Sequence, residues 1–464
     1  MGGARRSLVL VAGTATGRVA QLLWLVASSR TMTGHELGTM LSAQALYLTL
    51  QVFVDGGAWL YGARAASSST VDDRLRGQIT YVRLEFAVLG AAGSIAFALL
   101  AGGAMPSAVL PYAAALLFFA ALNTWEPFGL GRHGPYVAYL ALRSITPGIV
   151  AWAVLASGST QAVWAPGVAE LATLLTVTLV FALHPLRAVR RALAVREGPR
   201  KAIMRVTLCQ TAAVSMVAVG TLTLSAAGAA AAAGTLGAGI KVMAGSATLI
   251  ASGALGFFQS ISRQHADGGT GDTSGFARAV TTISWLTIVA ATVAALAAPI
   301  VAAALLDDRS ASTVTTLILV FAAIPAIGFV VALTSPLVAR HEEGALLATY
   351  VGGFAIVGLG GLLVLAVAGP SAEGMAVALV VADLAMAIHV LPRARLLIGA
   401  RARGIVLRTT GALGVTVVAA FLPAARPALL LALLAVSTVG LALACLKLVQ
   451  RAPTDQPIPT AQLA

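Results

Sequence analysis

Long apolar runs, each closed by a short polar stretch, recur along the chain from Ser7 to Leu448. A run of about 18 or more apolar residues is long enough to cross a bilayer as a helix. Backbone in lipid must satisfy its own hydrogen bonds, so each run predicts a helix. The predicted spans are 7–28, 37–63, 79–102, 107–130, 135–157, 163–185, 202–226, 231–261, 277–303, 312–337, 345–369, 373–392, 405–422 and 427–448. The predicted class is an all-α membrane protein of about fourteen transmembrane helices. No polar stretch is long enough for a soluble catalytic domain. Arg5 and Arg6 precede the first run in the manner of a signal peptide. That run is too long and lacks a small-residue cleavage site, so it reads as a retained first helix.

Composition agrees: 59% of residues are hydrophobic and 10% charged, against about 25% charged in soluble domains. The formal net charge is +13, and its placement alternates. One set of loops carries Arg64, Arg74, Arg76, Arg132, Arg187, Arg190, Arg191, Arg196, Arg200, Lys201, Arg263, Arg340, Arg393, Arg395, Arg401 and Arg403. The alternate set carries Arg30, Arg309 and Arg426, together with Asp307, Asp308 and Glu373. Under the positive-inside rule both termini are then cytoplasmic and the helix count is even. An inner-membrane location follows. The basic loops lack interleaved aromatics and nucleic-acid motifs, so no nucleic-acid partner is expected. Cys209 and Cys445 each lie inside an apolar run and have neither disulfide nor metal spacing.

A shift of 199 residues lays the second run on the eighth. Leu37 then meets Leu236, Gly38 meets Gly237, Leu50 meets Leu249, Gly57 meets Gly256 and Arg64 meets Arg263. Six helices per half is an even number, so the halves are expected to be parallel repeats about an axis along the membrane normal. The expected organisation is an N-lobe at 1–186, a basic cytoplasmic linker at 187–201, a C-lobe at 202–394, and two additional helices with a tail at 395–464.

Charges deep in a bilayer cost at least a few kcal/mol and usually face a cavity or a partner. Arg18 lies near the middle of the first helix, on one face with Thr14 and Gln21. The second helix carries a polar stripe of Gln44, Tyr47, Gln51 and Asp55; it lines a wet cavity, or Asp55 is the structural partner of an arginine. The fifth helix places Tyr136, Tyr139, Arg143 and Thr146 on one face, ahead of Pro147-Gly148, which should bend it. The eighth places Lys241 on a face with Gly245, Thr248, Ser252, Gly256 and Gln259. Lys241 either faces the cavity or snorkels to the surface, and the small residues on its face also suit packing. Glu126, Glu170 and Asp383 are each a proton or cation carrier, or a salt-bridge partner. Arg18, Arg143 and Lys241 together predict a cavity that takes an anion, since Arg and Lys bind phosphate oxygens by charge-assisted hydrogen bonds.

No G-x-x-x-x-G-K-[ST] loop and no G-x-S-x-G elbow is present, and His35-Glu36 and His341-Glu342 lack the second His of a metalloprotease. The expectation is a protein that is not an enzyme, without cofactor or catalytic metal. Its driving force would be an ion gradient, the membrane potential or substrate flux.

The run Gly34-His35-Glu36-Leu37-Gly38, then Asp55-Gly56-Gly57, then Arg64-Ala65-Ala66 resembles the start of the polysaccharide flippases. These belong to the multidrug/oligosaccharidyl-lipid/polysaccharide (MOP) exporter superfamily. Its members typically show a Leu-Gly or Phe-Gly pair at an outer turn, an Asp-x-Gly late in the second helix and an Arg at that helix's cytoplasmic end. The resemblance implies a MATE-like, V-shaped pair of six-helix lobes around a central cavity, working by alternating access. It implies an undecaprenyl-diphosphate-linked oligosaccharide as substrate, its diphosphate held by cavity cations, with Arg18, Arg143 and Lys241 in that role. Partners would be the lipid-linked glycan, the bilayer and polysaccharide assembly enzymes. The second half departs from the pattern: Ala254 stands at the repeat of Asp55. Two extra C-terminal helices occur in the lipid II flippase branch, which makes lipid II the nearest rival substrate. A cation-coupled multidrug antiporter of the same fold would want an acidic cavity. Outside transport, the competing readings are a membrane scaffold and a glycan-processing membrane protein.

Overall fold

The computed structural model describes residues 3–68, 71–122, 125–130, 163–180, 185–195, 198–255, 274–340, 342–399 and 401–421, with isolated positions between 142 and 157 and between 257 and 261. Among these residues every regular element is an α-helix. The order is α1 (Gly3–Thr31), α2 (Gly34–Ser68), α3 (Asp73–Ala101), α4 (Met105–Ala120), α5 (Trp125–Gly129), α6 (Ala165–Val180) and α7 (Pro185–Val195). It continues with α8 (Arg200–Ala226), α9 (Ala230–Leu255), α10 (Ser274–Leu296), α11 (Ala298–Leu306), α12 (Ala311–Ala339), α13 (Glu343–Ala368), α14 (Ala372–Ile398) and α15 (Arg401–Phe421). Eight of them, α2, α3, α8, α9, α10, α12, α13 and α14, are long and apolar enough to cross a membrane. The protein is a multi-pass all-α membrane protein.

Polar side chains at the turns start several helices. Thr33 and Glu36 form a reciprocal capping box at α2: the Thr33 amide donates to Glu36 Oε2 (2.8 Å) and the Glu36 amide to Thr33 Oγ1 (3.3 Å). Asp72 caps α3 by accepting from the Leu75 amide at 2.7 Å, and Ser310 and Ser371 cap α12 and α14 in the same way. Helix α3 ends at Gly102, whose φ of 67° lies in the region glycine enters without a Cβ clash.

Two expectations are corrected, and a third gains detail. The predicted helix 107–130 is two pieces, α4 and α5, broken after Ala120. The break is stabilised from outside the helix. Arg83 of α3, fully buried, donates to the carbonyls of Phe119 (3.1 Å) and Leu122 at the break. The predicted helix 277–303 splits into α10 and α11 at Ala297, with Pro299 in the first turn of the second piece. The basic linker predicted at 187–201 is largely helix α7, lying against α3. The predicted fifth helix at 135–157 and the last at 427–448 lie outside the described residues, apart from isolated positions in the former.

Helix α12 sits at the centre, buried at nearly every position from Thr313 to Ala339, and packs against α9, α10, α14 and α15. Helix α2 is the other hub. At the arginine-rich end it runs against α8, where a Cβ added at Gly57 would lie 2.1 Å from Thr207 Oγ1 and 2.5 Å from the Ile203 carbonyl oxygen. At the opposite end it runs against α9, where a Cβ at Gly38 would lie 1.8 Å from the Ala230 carbonyl oxygen. Both contacts need glycine, because a methyl group cannot occupy either space. Between them, midway along α2, the helices part.

Candidate functional site

Where α1, α2, α8, α9, α12 and α13 separate there is a cavity of about 360 Å³, within the range of ligand sites. Helix α1 supplies Arg18 and Gln21, α2 supplies Gln44 and Leu48, and α8 supplies Gln210 and Thr221. Helix α9 supplies Lys241 and Thr248, α12 supplies Thr334 and Ser335, and α13 supplies Tyr350. Arg18 and Lys241 are the charged residues of this wall; among the described residues no carboxylate lines it.

Each of the two cations bonds neutral groups in the wall. Arg18 donates from Nη1 to Gln21 Oε1 and from Nη2 to Thr248 Oγ1, both at 2.7 Å. Lys241 Nζ donates to Gln44 Oε1 at 2.7 Å and sits 4.2 Å from the centroid of the Trp24 ring, a cation–π arrangement. Amide, hydroxyl and ring partners such as these orient a positive group without neutralising it. On the far wall the Thr334 and Tyr350 hydroxyls share a hydrogen bond of 2.5 Å. Beside the cavity, Thr14 and Ser252 pair at 2.9 Å and tie α1 to α9. The predicted cation Arg143 lies outside the described residues.

No protein-family model matches the sequence, and no curated protein matches it. Solved structures do match in fold. One is the lipid II flippase MurJ in its inward closed conformation, 11% identical, covering 91% of this chain and 100% of that one, TM-score 0.62. Another is a MOP superfamily transporter from Pyrococcus furiosus, described by the reverse polarity of its binding pocket, 12% identical over 85% and 96% of the two chains, TM-score 0.61. A third is a multidrug resistance MATE family transporter of the MOP superfamily in an outward-facing conformation, 12% identical over 85% and 96%, TM-score 0.58. The chain has the MOP transporter fold.

Within this MOP fold the remaining candidates separate by environment. Asp55 pairs with Arg83 across 2.8 Å, so the structural side of the alternative left open in the sequence is the geometry seen. Glu126 forms a two-point pair with Arg76, at 2.6 Å and 2.9 Å, and joins α5 to the start of α3. Neither carboxylate lines the cavity. Glu170 on α6 is buried and accepts from the Tyr47 hydroxyl at 2.9 Å, next to the stacked Tyr47–Tyr112 pair. Gln51 is buried, and its Nε2 has no hydrogen-bond partner. Asp383 on α14 is fully enclosed and neither carboxylate oxygen has a hydrogen-bond partner.

Sequence reasoning passed over Arg83, Trp24, Gln210 and the Thr334–Tyr350 pair. Arg83 had a legible signal: it lies inside an apolar run, where an arginine demands a partner. The others are polar or aromatic residues of ordinary membrane helices, and only the meeting of six helices makes them one wall.

Proposed function

We propose that this chain flips an undecaprenyl-diphosphate-linked oligosaccharide, a surface polysaccharide repeat unit, from the cytoplasmic to the outer leaflet by alternating access. The observation that carries the reading is the cavity wall bearing Arg18 and Lys241 without a carboxylate among its described residues. A diphosphate takes fork and point-charge donors together, whereas an antiporter of cationic drugs would gain from the opposite polarity. Arg143 is proposed as a third cation of the same site. Gln21 and Gln44, each bonded to one of the cations, hold them in place.

The closure of α2 on both α8 and α9 supports alternation. Along the α2–α8 seam Gln51 Nε2, Thr207 Oγ1 and Thr211 Oγ1 are buried without hydrogen-bond partners. Such groups are costly while dry and gain partners once water enters, as it would when the arginine-rich end opens. Under the positive-inside rule that end is cytoplasmic, with both termini on the same side of an inner membrane. Lobes at 1–186 and 202–394, with 395–464 as an addition, belong to the same proposal. Asp383 and Glu170 are the proposed proton or cation carriers: Asp383 is enclosed with neither carboxylate oxygen hydrogen-bonded, which favours a neutralised group, and Glu170 is buried against the Tyr47 hydroxyl. Polysaccharide assembly enzymes would be the partners.

Lipid II is the second reading, supported by the likeness to MurJ along the whole of that chain. Both substrates present the same diphosphate, so glycan preference separates them. The test is flipping of fluorescent undecaprenyl-diphosphate glycans by the purified chain in proteoliposomes. The proposal expects transport that Arg18→Gln and Lys241→Gln abolish at equal protein insertion. Absence of transport by the unaltered chain, or unaltered rates in both variants, overturns it.

A further inference from the structure

Helix α7 packs flat on the arginine-rich end of α3. A Cβ added at Gly77 would lie 2.9 Å from Val195 Cγ2 and 3.0 Å from the Arg191 carbonyl oxygen, and Arg191 reaches Asp73 at 3.1 Å. The contact involves the first turns of α3, so α7 lies where a membrane-crossing helix leaves the bilayer. Its inner face is Ala188 and Ala192, both buried and one turn apart. At about 3.6 residues per turn the outer surface divides into two stripes. Leu186 and Leu193 lie together on one and are 76% and 55% exposed. Arg190 lies next to them, and Arg187 follows on the same flank; both are exposed.

Among the described residues the carboxylates around this flank are already engaged. Asp73 pairs with Arg76 and Arg191, Glu126 with Arg76, and Glu85 with Arg200, while Asp72 caps α3. Neither Arg187 nor Arg190 forms an ion pair or hydrogen bond with a described side chain. Arg187 acts on Asp73 only at longer range; a leucine stripe beside an arginine stripe without ion pairs, held at the bilayer surface, is the arrangement of a helix lying in the headgroup plane. The leucines face acyl chain and the guanidinium forks meet phosphate oxygens.

We propose that α7 is a binding site for anionic phospholipid headgroups, with Arg187 and Arg190 contacting the phosphate and Leu186 and Leu193 seated in the acyl region. The site is separate from the cavity and stands whether or not the transport reading does. The occupant is a phosphodiester lipid with net negative charge, since a zwitterionic headgroup offsets the arginine attraction with its own cation.

The full chain, purified in phosphatidylcholine nanodiscs, is titrated with short-chain phosphatidylglycerol and the thermal shift followed. Short-chain phosphatidylcholine and inorganic phosphate are titrated in parallel. Saturable stabilisation by phosphatidylglycerol alone is expected, weakened about fivefold for each of R187Q and R190Q. The pair R401Q and R403Q, which removes the same charge from exposed positions on α15, leaves it intact. Equal loss in that control pair, unchanged affinity in R187Q/R190Q, or the same response to inorganic phosphate overturns the proposal. The unliganded melting temperature of each variant shows that it is folded.

Discussion

Asp55 of α2 lies 2.8 Å from Arg83 of α3, and Arg83 in turn donates to the carbonyls at the broken end of α4. One buried guanidinium thus joins three helices: it neutralises a carboxylate and satisfies backbone acceptors that lipid would leave bare. A positive group at a helix C-terminus also meets the negative end of the helix dipole. Arg83→Ala removes the charge partner of Asp55 and a donor to the Leu122 carbonyl, and should cost about 3–5 kcal/mol. Loss of folded protein in fluorescence size-exclusion profiles is the measurement. Asp55→Asn keeps a polar contact and should fold with a lowered melting temperature; a larger loss than Arg83→Ala would contradict this assignment.

The cavity cations should act mainly on ligand binding, because the Gln21, Thr248 and Gln44 groups they bond can relax into water. Arg18→Gln and Lys241→Gln should each weaken binding of a diphosphate headgroup by about 10- to 100-fold, the worth of one charge-assisted hydrogen bond. Titration with a water-soluble diphosphate analogue, at matched melting temperatures, checks it. Trp24→Leu removes the ring over Lys241 and should weaken binding less, by severalfold.

Helix α2 approaches its neighbours through glycine at both ends. Gly57→Val should drive α2 from α8 at the arginine-rich end, since the new side chain would overlap Thr207. Gly38→Val should part α2 from α9 at the opposite end, where the Ala230 carbonyl stands in the way. Cysteines introduced at Thr207 and at Leu41, with accessibility to a water-soluble thiol reagent as the readout, should respond in opposite senses. Equal labelling of both sites in both variants would remove the two-ended closure.

Arg64 of α2 is 2.9 Å from Glu343 of α13 and also bonds the Val338 carbonyl at 3.3 Å. This pair ties α2 across to α13 at the arginine-rich end. It is partly buried, and partly exposed pairs contribute on the order of 1 kcal/mol. Glu343→Gln should therefore raise the population open at that end about fivefold. Distance measurement between spin labels on α2 and α13 would detect it.

Asp308, in the turn ahead of α12, accepts from Thr313 Oγ1 at 2.5 Å and from the Ser310 amide at 2.8 Å. The Thr313 hydroxyl first, then the Ser310 amide, hold its carboxyl below the ordinary aspartate value. The unfolded chain thus binds the proton more readily than the folded one. The stabilisation is present above the ordinary aspartate range and is lost as pH falls through that range toward the lowered folded value. Asp308→Asn should flatten this acid limb of the melting-temperature profile by lowering the melting temperature at neutral pH toward the acid value.

The all-α membrane class and the alternation of basic loops were written in the chain, because a bilayer demands long apolar helices and separates arginine-rich from arginine-poor loops. Deep Arg18 and Lys241 were visible for the same reason: charge inside an apolar run is costly enough to be conspicuous. Periodicity could not separate Arg18 from Arg83, or Glu126 from Asp383, since each is one charge in a membrane segment. Their different roles depend on what lies across the helix interface. Only the tertiary structure decided that Arg83 serves Asp55 and the end of α4, that Arg76 serves Glu126, and that Arg18 and Lys241 face one chamber. The chain's pattern determines which residues must leave lipid; helix packing determines whether each meets a carboxylate, a bare carbonyl or an open cavity.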